Sequence, residues 1–286
     1  MLILSMTVFG TLGPFVRQIS VSSGELALYR AVLALVLIAL FFLLTRRKLS
    51  LRNTGKEFLL LLLSGCAMGF NWILLFEAYK YTTVSVATLT YYFAPVLVTV
   101  ACPILFREKM TVKNWICFGM STVGIVLITG VGDVSATQDH FTGILFGLGA
   151  ACLYASVILL NKCIKRVEGL DRTLLQFAAA ILVLLPYVLF TGGFTFTTLN
   201  FTGWICLLTV GLIHTGATYC LYFSAIKDLP GQEAAILSYI DPLLAVILSV
   251  TVLHEKISEM QILGGILILG FTLWNEISPK RHNNQE

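Results

Sequence analysis

The chain has 286 residues, of which 57% are hydrophobic and 12% charged, about half the charged share of an ordinary soluble domain. That balance excludes a soluble fold and places the chain in a bilayer. The net charge of +4 is spread over short connectors between apolar runs, so it reports membrane orientation and carries no nucleic-acid partner.

A spanning helix needs about 20 mostly apolar residues. Ten stretches qualify, at 2–20, 25–44, 57–79, 84–106, 112–131, 142–164, 172–191, 202–225, 232–253 and 260–276. The first has no basic lead and no small-residue cleavage site and reads as a retained helix, not a signal peptide. Arg30 lies one to two turns inside the end of the second stretch, and Glu25 and Glu77 are expected at the same face. Arg30 with Glu77 is therefore a candidate gate ion pair; the competing reading is an arginine snorkelling to the headgroups.

In the third stretch Asn71 and Trp72, and in the fourth Tyr91 and Tyr92, combine polar tips with aromatic bodies, as a site for an amphipathic solute would. Packing is the competing role for each. Tyr154 in the sixth stretch is a weaker candidate, with Ser156 and Asn161, while Gly143 and Gly147 form a GxxxG that lets helices approach closely. In the eighth stretch His214, Thr218 and Tyr222 share one helical stripe. Tyr239 and Asp241 follow in the ninth.

Asp241 is the clearest functional candidate, because an ionisable group at mid-helix costs about 2.5–3.5 kcal/mol on insertion scales and usually faces a cavity or a partner. Its carboxyl suits an amine or a transferable proton. His214 reaches a similar depth by helical rise, which makes the two a candidate proton-coupling pair; a structural histidine between packed helices is the alternative.

The two halves repeat. Residues 57–114 fall without a gap on 204–261, so that Gly69 meets Gly216, Phe76 meets Phe223, Lys80 meets Lys227, Tyr92 meets Tyr239, Pro95 meets Pro242 and Glu108 meets Glu255. The first copy has a basic connector of Arg46, Arg47, Lys48, Arg52 and Lys56, whereas the matching 191–203 has no charge. With the amino terminus inside, fifteen basic residues fall on the inner face and Arg17, Arg30, Lys80 and Lys256 on the outer. Five helices per copy, an odd number, invert the second copy relative to the first.

The expected organisation is thus all-α and integral to the membrane: a first five-helix repeat at 1–131, a linker at 132–141, an inverted second repeat at 142–277 and a cytoplasmic tail at 278–286. Pro95 and Pro242 are expected to bend the fourth and ninth helices as hinges.

The phrases NWILLFEAY at 71–79, YYFAPV at 91–96 with REK at 107–109, HTGATY at 214–219, SYIDP at 238–242 and HEK at 254–256 together resemble the drug/metabolite transporter superfamily, EamA type. The resemblance covers nearly the whole chain. It implies a basket of ten helices, the first, third and fourth of each repeat around a central cavity and the fifth and tenth outside, and export of small metabolites, often amino acids.

The expected function is a secondary exporter of a small metabolite, amino acid or amine-like and including aromatic ones, by alternating access, with protons a candidate coupling ion. No GxxxxGK[ST] motif is present. The 130–133 GVGD spells the motif of aspartyl intramembrane proteases but lacks a second membrane motif, so an enzyme is not expected; a channel or receptor is the remaining alternative. The seven cysteines show no CxxC and no metal-like pairing with histidine. Neither a metal nor a cofactor is expected, the partners are substrate, protons and lipid, and the state is a monomer or weak dimer in the cell (inner) membrane with both termini cytoplasmic.

Overall fold

The computed structural model describes residues 1–46, 49, 55, 57–107, 110–129, 138–167, 169–226, 229 and 231–277. Several expected features lie outside these residues: Arg47, Lys48, Arg52 and Lys56, Glu108 and Lys109, Asp133, Lys227, most of the 132–141 linker, and the tail with Lys280 and Arg281.

All regular structure among the described residues is helical: α1 (Leu2–Gly10), α2 (Leu12–Arg17), α3 (Ser23–Leu44), α4 (Phe58–Tyr81), α5 (Val84–Tyr91), α6 (Ala94–Phe106), α7 (Val112–Thr129), α8 (Gln138–Cys163), α9 (Gly169–Thr191), a short 3-10 turn, α10 (Phe201–Leu208), a π-helical segment (Thr209–Ala217), α11 (Thr218–Ile226), α12 (Gly231–Ser238), α13 (Ile240–Thr251) and α14 (Glu259–Ile277). Eight described helices, counting α5–α6 and α10–α11 as continuous, are long and apolar enough to cross a membrane; Leu2–Arg17 and Ile236–Thr251 are shorter apolar helices. The chain is a multi-pass membrane protein.

Four of the stretches expected as single helices are interrupted. The first breaks at Thr11, whose hydroxyl donates to Val8 O at 2.7 Å. Pro14 cannot donate to the carbonyl of Gly10, so the backbone there is free to turn. The fourth breaks at Tyr92 and Phe93, with Pro95 in the first turn of α6, and the ninth at Tyr239, with Pro242 in the first turn of α13. Proline tolerates a first turn because its missing N–H has no partner there in any case. The eighth widens into the π segment, where Thr215 donates to Val210 O at 2.8 Å and Thr218 to Ile213 O at 2.6 Å, each five residues back.

The helices pair in a pattern that exchanges when the halves are exchanged. α4 packs on α8 and α9; its counterpart, α10 to α11 with the π segment, packs on α1 and α3. α5 and α6 pack on α8, as α12 and α13 pack on α1. Single contacts repeat as well: a Cβ built on Gly69 would lie 3.2 Å from Leu184 Cγ, and one on Gly216 would lie 3.1 Å from Leu37 Cβ. The leucines are separated by the same 147 residues as the glycines.

α7 and α14 pair with each other, close enough that a Cβ on Gly124 would lie 2.7 Å from Gly264 O and one on Gly264 2.5 Å from Gly124 O. Gly143 and Gly147 are covered by Thr82 and Thr90, a small-residue contact that brings α8 against the fourth helix.

Polar side chains close the two ends of the bundle. At one end Glu25 takes Tyr29 Oη at 2.9 Å and Thr195 N at 2.9 Å, and Arg17 Nη2 reaches Glu255 Oε1 and Thr82 O, each at 2.7 Å. At the other, Glu57 accepts from the backbone of Lys165 at 3.2 Å and of Arg166 at 3.1 Å. Between the ends Gln176 donates to Ser64 Oγ at 2.6 Å and Asn161 Oδ1 at 2.7 Å, tying α9, α4 and α8. Such a satisfied network can stand in hydrocarbon, where unpaired polar groups cannot.

Candidate substrate site

The three breaks and the π segment meet. Thr11, at the break of the first helix, lies with its hydroxyl 2.8 Å from His214 Nε2 on the π segment. Beside it a Cβ on Gly10 would lie 2.7 Å from Asp241 O, so only glycine admits the main chain of α13 this close. From the break of the fourth helix Tyr92 Oη donates to Asp241 Oδ2 at 2.6 Å. Interrupted helices are where secondary transporters commonly form their substrate and ion sites.

Aromatic rings surround this junction. Tyr91 stacks on Tyr154 with centroids 5.1 Å apart and the planes 20° from parallel, and meets Tyr92 edge-on at 5.9 Å. A second run links Phe9 to Tyr219 at 5.4 Å, Tyr219 to Phe177 at 5.5 Å and Phe177 to Trp72 at 5.4 Å. Over the Trp72 face stands the guanidinium of Arg30, its carbon 4.6 Å from the ring centroid. Arg30 Nε donates to Thr215 Oγ1 at 2.7 Å, beside His214 on the π segment.

The structure brings Trp72, Tyr91, Tyr92, Tyr154, His214 and Asp241 to this region and gives the other expected residues different partners. Asn71 donates its amide to Ala150 O at 2.6 Å, which fixes α4 against α8. Thr218 donates to its own helix at Ile213 O. Tyr222 packs against Phe223 and Phe9 at 5.1 and 6.5 Å, toward α12. Tyr239 enters the apolar cluster with Val86, Leu89, Ile128 and Ile268, where α5, α7 and α14 meet.

Two expected pairs do not form. His214 and Asp241 are each bonded elsewhere, to Thr11 and Tyr92, and the first helix lies between them. Arg30 and Glu77 are also apart: Lys80, three residues along the same helix, takes Glu77 at 3.1 Å because side chains at that spacing share a face. A second ion pair at that end, Arg17 with Glu255 at 2.7 Å, was missed by sequence reasoning. Thr11 and Thr215 also escaped it as site residues; nothing in their spacing marks them, since each gains its role from a helix distant in sequence, whereas Tyr219 stands at the repeat position of Trp72.

A bundle of apolar helices, eight of them long enough to cross a membrane, with charged side chains gathered at interrupted spans defines a polytopic membrane protein. The EamA-like transporter family matches residues 1–130 and again 141–275, and the chain belongs to that family. It is 30% identical over 268 residues to an uncharacterized transporter, YxxF, of Bacillus subtilis, covering 93% of this chain and 85% of the relative. An uncharacterized transporter of Archaeoglobus fulgidus is 27% identical over 282 residues, covering 96% and 95%. One solved crystal structure superposes with a TM-score of 0.66 at 18% identity, over 94% of this chain and 93% of that one, which is a likeness of fold.

Proposed function

We propose that the chain is a secondary carrier that moves a small metabolite outward across the cell membrane by alternating access. Two five-helix repeats, 1–131 and 142–277, stand inverted about the junction of broken helices, with both termini in the cytoplasm. The observation that carries this reading is that the interruptions of the first, fourth and ninth helices adjoin Asp241: Gly10 beside Thr11 lies against its main-chain oxygen, Tyr92 Oη donates to its carboxylate at 2.6 Å, and Tyr239 precedes it by two residues. A closed scaffold would have little reason to break three spans at one level, since each break exposes backbone groups that lipid cannot satisfy.

The exchanged pairings of the two halves support the repeat, and so do the two separate stretches over which the family matches. The substrate on this reading is an amino acid or amine-like solute, aromatic ones included, with its apolar part on the tyrosine and tryptophan faces and any amine at Asp241. Protons are the candidate coupling ion, through Asp241.

Counterflow in proteoliposomes tests the proposal. Vesicles preloaded with unlabelled substrate should accumulate labelled substrate transiently, and the rate should saturate. Flux that rises linearly with concentration and shows no counterflow would identify a channel.

A further inference from the structure

Arg30 is 4% exposed and sits in a helix long and apolar enough to cross the membrane. A permanent cation at such a position is costly and calls for partners. The protein supplies them for only part of the guanidinium. Nε donates to Thr215 Oγ1 at 2.7 Å, and that hydroxyl is oriented to accept, because its own proton goes to Val210 O at 2.8 Å. The bond to a carbonyl five residues back depends on the π segment, so the irregularity of that helix and the direction of Arg30 are one feature. One face of the guanidinium lies over Trp72 at 4.6 Å, with Phe76 at 5.7 Å.

The terminal nitrogens Nη1 and Nη2 have no acceptor among the described residues. Asp241, the half-buried carboxylate that could neutralise them, accepts from Tyr92 instead and forms no ion pair with Arg30. An arginine serving only as glue between helices would spend its fork on carbonyls or a carboxylate. This one is fixed at Nε and on one face while four N–H donors in one plane remain free, the arrangement that receives a planar oxyanion by two parallel bonds.

We infer that Arg30 is the receptor for an anionic group of the transported solute, and that this group is a carboxylate. The inference rests on the reading that the junction is the carrier's substrate site. It narrows the substrate to small organic acids, with or without an amine, and excludes simple amines and polyamines. Thr215 is a positioning residue, acting through Arg30.

The test uses the purified full-length protein and pairs of probes that differ only at the headgroup: 3-phenylpropionate with phenethylamine, 4-methylpentanoate with isoamylamine, and 3-indolepropionate with tryptamine, plus inorganic phosphate. A solute that binds the native state alone raises the unfolding temperature. At least one acid should stabilise the wild type while its amine partner and phosphate do not. Arg30→Gln should abolish that shift, and Arg30→Lys, which keeps the charge and loses the fork, should weaken binding about tenfold. Thr215→Val, which leaves the buried Nε–H without its acceptor, should lower the unliganded unfolding temperature and weaken the acid several-fold, whereas Thr215→Ser, which keeps the acceptor, should restore binding of the acid.

Stabilisation by amines or phosphate alone, no shift with any acid, or equal affinity for the acid in wild type and Arg30→Lys would each overturn the inference. The Lys variant keeps the test valid if Arg30→Gln does not fold. Saturable counterflow of an acid that persists unchanged in Arg30→Gln would remove Arg30 and leave the carrier reading standing. An acid that binds through Arg30 in a protein without counterflow would do the reverse.

Discussion

Arg17 and Glu255, 238 positions apart in sequence, meet at 2.7 Å and close one end of the bundle. Glu255 also accepts from the backbone of Val84, at the start of α5, at 2.8 Å, and from Ser249 Oγ, which in turn takes Ser85 Oγ at 2.5 Å. His254 holds a left-handed backbone, φ 53°, just ahead of it, a conformation strained for a residue with a side chain and one that aims the following carboxylate inward. One carboxylate thus joins the first, fourth and ninth helices.

Removing either partner should release that end. The side chains are 32% and 13% exposed, so the ion pair alone contributes about 1 kcal/mol or less. Glu255→Ala should cost more, roughly 1–3 kcal/mol, because it strands the Val84 N–H. The expected outcome is faster labelling of a cysteine placed at Ser85 by a water-soluble thiol reagent, more so in Glu255→Ala than in Arg17→Gln. Unchanged labelling in both would show the pair to be incidental.

Asp241→Asn should insert and purify as the wild type does, since the isostere keeps the bond to Tyr92 while losing the charge. Flux, or its pH dependence, should be lost. Tyr92→Phe should keep the charge and impair flux less. Wild-type flux with unchanged pH dependence in Asp241→Asn would make the carboxyl structural.

The α7–α14 contact should be separable from transport. Gly124→Leu forces a side chain against the Gly264 carbonyl and should cost about 1–3 kcal/mol, lowering the unfolding temperature while counterflow of the remaining folded protein persists. Gly270→Ala, where nothing lies within 4 Å of the added Cβ, should change neither.

In a cysteine-free background, cysteines at Arg46 and Thr197, both exposed, should label with an impermeant reagent from opposite sides of the membrane, the first from the cytoplasm. Labelling from one side would remove the inverted arrangement.

The positions of the helices were legible because hydropathy needs only composition over about 20 residues. The prolines marked the breaks in the fourth and ninth helices, because a missing donor is a local property. The break at Thr11 and the π segment were not read from the sequence: a hydropathy window averages across one turn, although Pro14 removes a donor in the first helix as Pro95 and Pro242 do in the fourth and ninth. Asp241 stood out because a charge is rare in an apolar run. Its partner Tyr92 was read as cavity lining, and the partner of Arg30 was read as Glu77, since sequence gives the depth of a side chain and not the helix it faces. Arg17 and Glu255 each looked like an ordinary helix-end charge until the fold placed them together.

On the alternating-access proposal the Arg17–Glu255 end of the bundle opens in each cycle of transport. Cysteines replacing Arg17 and Glu255 in the cysteine-free protein, joined by a short bifunctional thiol reagent with a reducible spacer, test it most directly. Counterflow should be present before cross-linking, stop when the link is complete and return on reduction. Counterflow that continues at its initial rate through a fully cross-linked protein would contradict it.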